Sequence, residues 1–568
     1  MKIQEPAQPN PKDVLQKPKS KKRYLIAAKR GSIALQSGLQ PMNAADLRTF
    51  VNNIPNATIL NTIRTGGEFS PQSVTSDEAR EVHLVELSAE DYATLSNTKP
   101  EHIHIEEEQH LDYLDSLQLN TQIPPRRFSL ASFAIQQEID ILVLGEDEQP
   151  IEAAEIQLTT STGSYSGTSD KEGRATINIS MLPGTTIETL FAKAKTMYWD
   201  LYIQNPDLTT DSVNVLRLQS LIETIPEFPN KFRYGWGEIM MGLPDQESRL
   251  SGRGIKIAII DSGMGDHELL SHVTRGYNVT GSGEITAWNT DTIGHGTHVA
   301  GVIGANGENG KMKGFCPGAE IIVIKVFPGG TTSALVEALK VCIEEGVDVA
   351  NLSLGTPNSS LIIEQHIEEA MLSGVAFIVA AGNDGGPVQF PANSPNTLAV
   401  SAIGTTTEVR ENTWDHSQIA PELTAPNGLF SPRFTSFGAQ VDVSGPGVSI
   451  ISTGPDNTYF PDSGTSMAAP HITGLAGLLL AHHPAFATIY KNRNSSRVAA
   501  LYSLLRQISY PINFGTGRTG HGLPNLQSVA KFLHGDSEAQ ANTLGATPLP
   551  VYPNNWAGVL PYYYQPGS

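Results

Sequence analysis

The chain has 568 residues, 39% of them hydrophobic and 17% charged, which describes a folded protein of several domains rather than a disordered one. Its formal net charge of −20 argues against nucleic acid or an anionic membrane surface as a partner, and no run of 18 apolar residues offers a membrane span. Two cysteines, Cys316 and Cys342, are too few for a disulfide framework or a cysteine-rich metal site, and their apolar surroundings predict small buried side chains.

Residues 1–20 are polar and proline-rich, and they end in the basic run Lys17 to Arg23, so they read as a flexible arm. They lack the apolar middle of a secretory signal. This predicts a cytoplasmic or non-classically secreted chain. From 21 to 115 the pattern is strand, helix, strand, twice over, with Asn43 and Ser88 placed to cap the two helices. That order predicts a small ferredoxin-like α+β unit. It ends in "HIHIEEEQHLDYLD", which by itself reads as a strand running into a solvated acidic edge.

From 126 to 220, alternating strands are split by turn residues at Gly145, Pro150, Gly163 and Gly173, which predicts a small β-sandwich. From 231 to 535, apolar strands alternate with long helical patterns, the signature of a doubly wound α/β domain with a mostly parallel sheet. Residues 536–568 are a Pro/Tyr-rich tail without a period.

Three segments of the α/β domain carry chemistry. "KIAIIDSGMG" is a strand that delivers Asp261 at its carboxyl end, where open α/β sheets bind ligands. Its glycines lack the third member of a dinucleotide fingerprint. "GHGTHVAG" sets His295 between two glycines at a helix start. His298 lies three residues on, but no third ligand with usable spacing makes the pair a metal site. "DSGTSMAAPH" places Ser466 in a tight turn before a small-residue helix with Pro470 in its first turns. Alone, Ser466 could be no more than a helix cap, and the segment is not a G-x-S-x-G elbow. Taken together, an aspartate can orient an imidazole, the imidazole can take a serine proton, and the serine can attack a carbonyl.

These three motifs, in this order, resemble those of the subtilisin-like serine proteases (subtilases), as do "ANLSLG", "VAAGNDG", "FPAN" and "VSGPGVSIIST" between them. The resemblance runs from about Arg233 to Leu533. It implies a serine endopeptidase acting on extended polypeptides, with no cofactor for the chemistry and with Asp261, His295 and Ser466 as triad. It implies Asn383 as side-chain oxyanion donor, with the Ser466 N–H completing the hole. Ser353, Leu354 and Gly355 would pair with substrate and wall the first specificity pocket, Ala380, Ala381 and Gly382 would form the opposite wall, and Gln389 would lie near its floor. A loop matching a calcium-binding loop of several relatives offers Asn306 and Glu308 as oxygen ligands for a structural calcium. Extra residues at "EVRENTWDHSQIAPELTAPNGLF" would overhang the primed side or an edge.

The same resemblance recasts 21–115 as an inhibitory I9-like propeptide acting on its own chain, with "IHIEEEQHLDY" entering the cleft and autocleavage after Tyr113 or Leu114. The intervening sandwich resembles carboxypeptidase-regulatory or transthyretin-like modules. Two other functions stay open: a processing protease dedicated to one peptide precursor, and an inactive scaffold that binds extended peptides.

Overall fold

A computed structural model describes residues 21–40, 42–65, 80–113, 135–161, 163–244, 250–514 and 517–533. The N-terminal arm, Leu114 and the C-terminal tail lie outside the described residues.

The first unit runs β1 (Lys21–Ala28), α1 (Ala44–Asn52), β2 (Thr58–Arg64), β3 (Glu81–Ser88), α2 (Ala89–Thr98) and β4 (Ile103–Glu107). Its strands form an antiparallel sheet in the order β2-β3-β1-β4. The predicted caps are present, since Asn43 accepts from the Asp46 amide and Ser88 from the Asp91 amide. Alternation along β1 divides its side chains between two cores. Tyr24, Ile26 and Ala28 pack with Leu47, Val51 and Leu95 of the unit's own helices. Leu25 and Ala27 face the other way, into a core shared with the C-terminal domain.

The second unit has two sheets. One has the order β11-β10-β7-β8 and the other β12-β6-β9, built from β6 (Ile135–Gly145), β7 (Glu155–Thr160), β8 (Gly163–Thr168), β9 (Arg174–Met181), β10 (Ile187–Lys193), β11 (Leu201–Gln204) and β12 (Asn214–Leu218). Inward residues of both, among them Ile139, Ile141, Ile156, Leu158 and Ile177, form one core. The alternation of polar and apolar residues along these strands is what a sheet with one wet face requires.

The third unit is an α/β fold. Its main sheet takes β13 (Lys256–Asp261), β14 (Arg275–Asn278), β15 (Glu320–Lys325), β16 (Val349–Leu352), β18 (Ala376–Ala380), β19 (Leu398–Thr405), β20 (Leu429–Phe430) and β21 (Val441–Pro446). The order is β14-β15-β13-β16-β18-β19-β20, with β21 also on β19, and each of these pairings is parallel except β19 with β20. Successive residues of β13 enter opposite cores: Ile257 and Ile259 one, Ala258 and Ile260 the other. That explains an apolar run without alternation. Helices α3 (His295–Gly304) and α6 (Thr465–His482) lie on the first face, and α4 (Thr332–Glu344) and α5 (Leu361–Leu372) on the second. Residues 465–480 of α6 are all buried.

Candidate functional site

Asp261 ends β13 with no exposed surface, and its neighbour strand β15 holds Lys325 in register beside it. His295 is the first residue of α3 and is buried. The two meet: His295 Nδ1 stands 2.7 Å from Asp261 Oδ1, an atom that also accepts from the Ser262 amide at 2.7 Å. Parallel pairing puts Asp261 at the sheet's carboxyl edge, and the glycine before His295 (φ +90°) lets the chain turn abruptly into α3 there. A Cβ on the glycine after it would fall 2.1 Å from the Gly263 carbonyl, so only glycine lets α3 approach the Asp261 loop this closely.

A residue that sequence reading missed fixes this helix start. Asp291, nearly buried, accepts at Oδ1 from the Ser262 hydroxyl (2.9 Å) and from the amides of Ile293 (3.1 Å) and Gly294 (2.8 Å). Its Oδ2 accepts from the Thr297 amide (2.9 Å) and hydroxyl (2.7 Å). One carboxylate thus ties the loop after Asp261 to the turn that carries His295. The signal was present as Asp-x-x-Gly at a helix start, a local carboxylate-to-amide turn. Lys325, also unpredicted, donates to the Ser262 carbonyl and, at 2.8 Å, to that of Thr290.

His298 is no ligand. Its Nε2 donates to the Ile450 carbonyl at 2.9 Å, and burial pushes its pKa down to about 3, so the ring is neutral.

Ser466 is the second residue of α6, fully buried, with its hydroxyl 3.4 Å from the Ser353 carbonyl. Ser353 returns the contact, donating through Oγ to the Ser466 carbonyl at 3.0 Å. Asn351 and Thr473 brace the same junction: Asn351 donates to Ser353 Oγ (2.9 Å) and accepts from the Thr473 hydroxyl (2.9 Å). Asn383 Oδ1 accepts from the Thr465 amide and hydroxyl, both at 2.8 Å. Holding the oxygen there turns the amide NH2 away from Thr465.

The two predicted pocket walls are Ser353 to Gly355 and Ala380 to Gly382, and the structure joins them at the back. Thr356 and Phe390 exchange both backbone hydrogen bonds (2.8 and 3.1 Å), and Gln389 N–H donates to the Ala381 carbonyl at 2.9 Å. Gly382 has φ +119°, and a Cβ there would lie 2.6 Å from Ser436 Oγ and 3.0 Å from Gln389 Cγ. Gln389 therefore lies against this wall, and its amide donates to Asp384 at 3.2 Å.

The segment after β4 lies in the groove beside these walls. β5 (Asp112–Tyr113) pairs antiparallel with β17 (Leu354–Gly355). On its other side, Leu111 N–H donates to the Gly330 carbonyl (2.9 Å), and the Thr332 amide donates to the Gln109 carbonyl (3.0 Å). Leu111 is buried, and the Tyr113 ring stands 5.5 Å from that of His295. The three glutamates divide. Glu106 accepts from the Ser360 hydroxyl and from the Leu361 amide (3.1 Å) at the start of α5, and Glu108 accepts from the Ser333 hydroxyl at the start of α4. Glu107 instead pairs with exposed Lys22.

Asn306 Oδ1 accepts from the Glu308 amide (3.0 Å), and the Gly307 carbonyl between them is taken by the Arg233 guanidinium (2.8 Å). Among the described residues, no group of three His, Cys, Asp or Glu side chains could hold a metal ion. The extra residues near 409–430 run into β20, the last strand in the order of the main sheet. Arg410, Asn412 and Trp414 contact the two-sheet unit, through Trp199, Tyr202 and Asp200.

Among the described residues, no helix is long and apolar enough to cross a membrane. The subtilase family model matches residues 252–503. Subtilisin DY of Bacillus licheniformis is 34% identical over 265 residues, 45% of this chain and 88% of that protein. Subtilisin Savinase of Lederbergia lenta is 34% identical over 302 residues, 52% of this chain and 98% of that protein. M-protease of Shouchella clausii (strain KSM-K16) is 33% identical over 337 residues, 57% and 78% respectively. The chain belongs to the subtilase family and is a serine endopeptidase.

Proposed function

We propose that Asp261, His295 and Ser466 are the catalytic triad and that residues 21–115 inhibit it within the same chain. The observation that carries the first reading is the 2.7 Å contact between Asp261 Oδ1 and His295 Nδ1, which leaves Nε2 as the imidazole's proton acceptor. In this reading His295 takes the Ser466 proton as Oγ attacks the substrate carbonyl. It then returns that proton to the leaving amine, and water releases the acyl group by the reverse steps. The Asn383 NH2 and the Ser466 N–H receive the developing alkoxide. No cofactor enters any step.

Substrate adds as a strand against Ser353 to Gly355, and the walls at Ala380 to Gly382 and Gln389 bound its first pocket. Segment 109–113 already uses that mode, which supports reading 21–115 as a ferredoxin-like I9-type propeptide. Residues 126–220 read as a β-sandwich and 231–535 as the catalytic domain. Tyr113 pairs with Leu354, the neighbour of Ser353 whose carbonyl faces Ser466 Oγ, and this supports self-cleavage after Tyr113 or Leu114.

The test compares the intact chain with its Ser466→Ala variant by mass and by labelling with a serine-directed fluorophosphonate. Label on the wild type alone, with a new N-terminus at Leu114 or Asp115, is the expected result. A wild-type chain that neither labels nor shortens would return the peptide-binding scaffold.

A further inference from the structure

The two-sheet unit and segment 409–430, which the sequence reading took as an insertion, meet each other. The insertion docks there at three points. Arg410 lies over the Trp199 ring at 5.0 Å and donates to the Thr224 carbonyl (3.2 Å), the Asn412 carbonyl accepts from the Tyr202 amide (2.7 Å), and the Trp414 amide donates to Asp200 (2.6 Å). The same unit also grips the hairpin of β22 (Ile450–Gly454) and β23 (Thr458–Asp462), which leads into α6. The Met197 amide donates to the Tyr459 carbonyl at 2.7 Å, and Lys193, at the end of β10, donates to Asp462 at 3.1 Å. Phe191 is part of the catalytic domain's own core.

A small cavity closes this junction, about 10 Å³ in volume, and the titratable groups facing it are Lys193, Tyr198, Asp200, Asp415 and Asp462. Asp200 comes from the two-sheet unit, Asp415 from the insertion and Asp462 from β23. Burial raises the carboxyls of Asp200 and Asp415, and each has a carboxylate neighbour that raises it further. Asp415 accepts from Ser449 Oγ (2.6 Å), and the Ser449 amide donates to Ser463 Oγ (2.7 Å), three residues before Ser466. Buried carboxylates that lose a cationic neighbour are strongly disfavoured.

We infer that the two-sheet unit is a permanent part of the active protease, and that its Lys193 is a positioning residue, holding Asp462 and through it the approach to Ser466. The inference rests on Ser466 being the nucleophile but not on where the precursor is cut. Removing 126–220 would open an apolar seam and leave Asp415 and Asp462 facing each other without the lysine.

The experiment uses the full chain, with Lys193→Met, Lys193→Arg and the double variant Lys193→Met/Asp200→Asn. Intact masses of the fluorophosphonate-labelled species are measured, and kcat and KM are followed from pH 6 to 9. The labelled species is expected to retain residues 126–220. Lys193→Met is expected to lower kcat on the order of tenfold at pH 8, with KM little changed and a smaller loss at pH 6, where Asp200, its pKa pushed up to about 7 by burial, takes up a proton. Lys193→Arg and the double variant should recover most of the rate. A fully active labelled species that begins after residue 220 would overturn the inference, even if Lys193→Met fails to fold. So would a Lys193→Met enzyme whose melting point falls while kcat and its pH profile match the wild type. Failure of every chain to label would instead defeat the Ser466 assignment.

Discussion

Tyr113 stands opposite Leu354 in an antiparallel pair, so the chain's own segment occupies the strand position proposed for a bound peptide. Leu111, two residues earlier, is buried against the same groove. If this register guides processing, Leu114→Asp should slow the self-cut by about tenfold or more, because a carboxylate would have to enter an apolar-walled pocket. The time course of the mass change in the full chain reads this out. An unaltered rate would move the cut elsewhere.

Asn383→Leu should lower kcat by about a hundred- to thousandfold with KM nearly unchanged, since the amide acts on charge that develops only in the transition state. That range is the one measured for the side-chain oxyanion donor of subtilisin itself, here used as a scale. A change confined to KM would mean that Asn383 only shapes the pocket.

Asp291 should matter to rate and stability together. Asp291→Ala orphans four donors beside the Thr297 amide, at about 1–3 kcal/mol for each buried group left unpaired. The expected result is a melting temperature lower by several degrees and a reduced kcat, with Asp291→Asn intermediate. Loss of stability with full kcat in the folded fraction would show that the carboxylate does not hold His295.

Glu106 sits at the start of α5, where its carboxylate accepts from the Leu361 amide and meets the positive end of the helix dipole, while Glu108 accepts from the Ser333 hydroxyl at the start of α4. In the Ser466→Ala chain, Glu106→Ala should speed hydrogen exchange at 360–364 by about fivefold, at roughly 1 kcal/mol for the lost cap. Glu107→Ala, which removes only an exposed pair with Lys22, should leave those amides unchanged.

Acid should loosen the first unit. His366 of α5 is buried 3.2 Å from the Arg30 guanidinium, with Glu369 bonded to Arg30 and Arg80 close by. Burial first, and Arg30 next, push the His366 pKa down to about 4. An undocked His366 regains an ordinary value near 6.5, so the undocked form binds the extra proton. Docking is therefore fully present above pH 6.5 and weakens as pH falls toward 4. Hydrogen exchange across β1 and β4 in the Ser466→Ala chain should accelerate over that window, and His366→Gln should flatten the response. A wild-type profile that is flat from pH 7 to 4.5 would remove His366 from any part in docking.

Local chemistry was legible in the sequence wherever a residue's partners are near in the chain or its strand is buried on both faces. The caps at Asn43 and Ser88, the uninterrupted apolar strand ending at Asp261, the glycines around His295 and the small-residue helix behind Ser466 all follow from backbone geometry within a few residues. Tertiary structure alone decided which glutamate of 106–108 caps a helix, because the partner of Glu106, Ser360, lies 254 residues away. It likewise brought Trp414 to Asp200 across 214 residues and the Arg233 guanidinium to the Gly307 carbonyl across 74. Hydrophobic periodicity states which face of a strand is buried, but it carries no information about what buries it. That is why the edge of the acidic run could be read as solvated, and why its contacts with the starts of α5 and α4 emerged only from the packing of one unit on another.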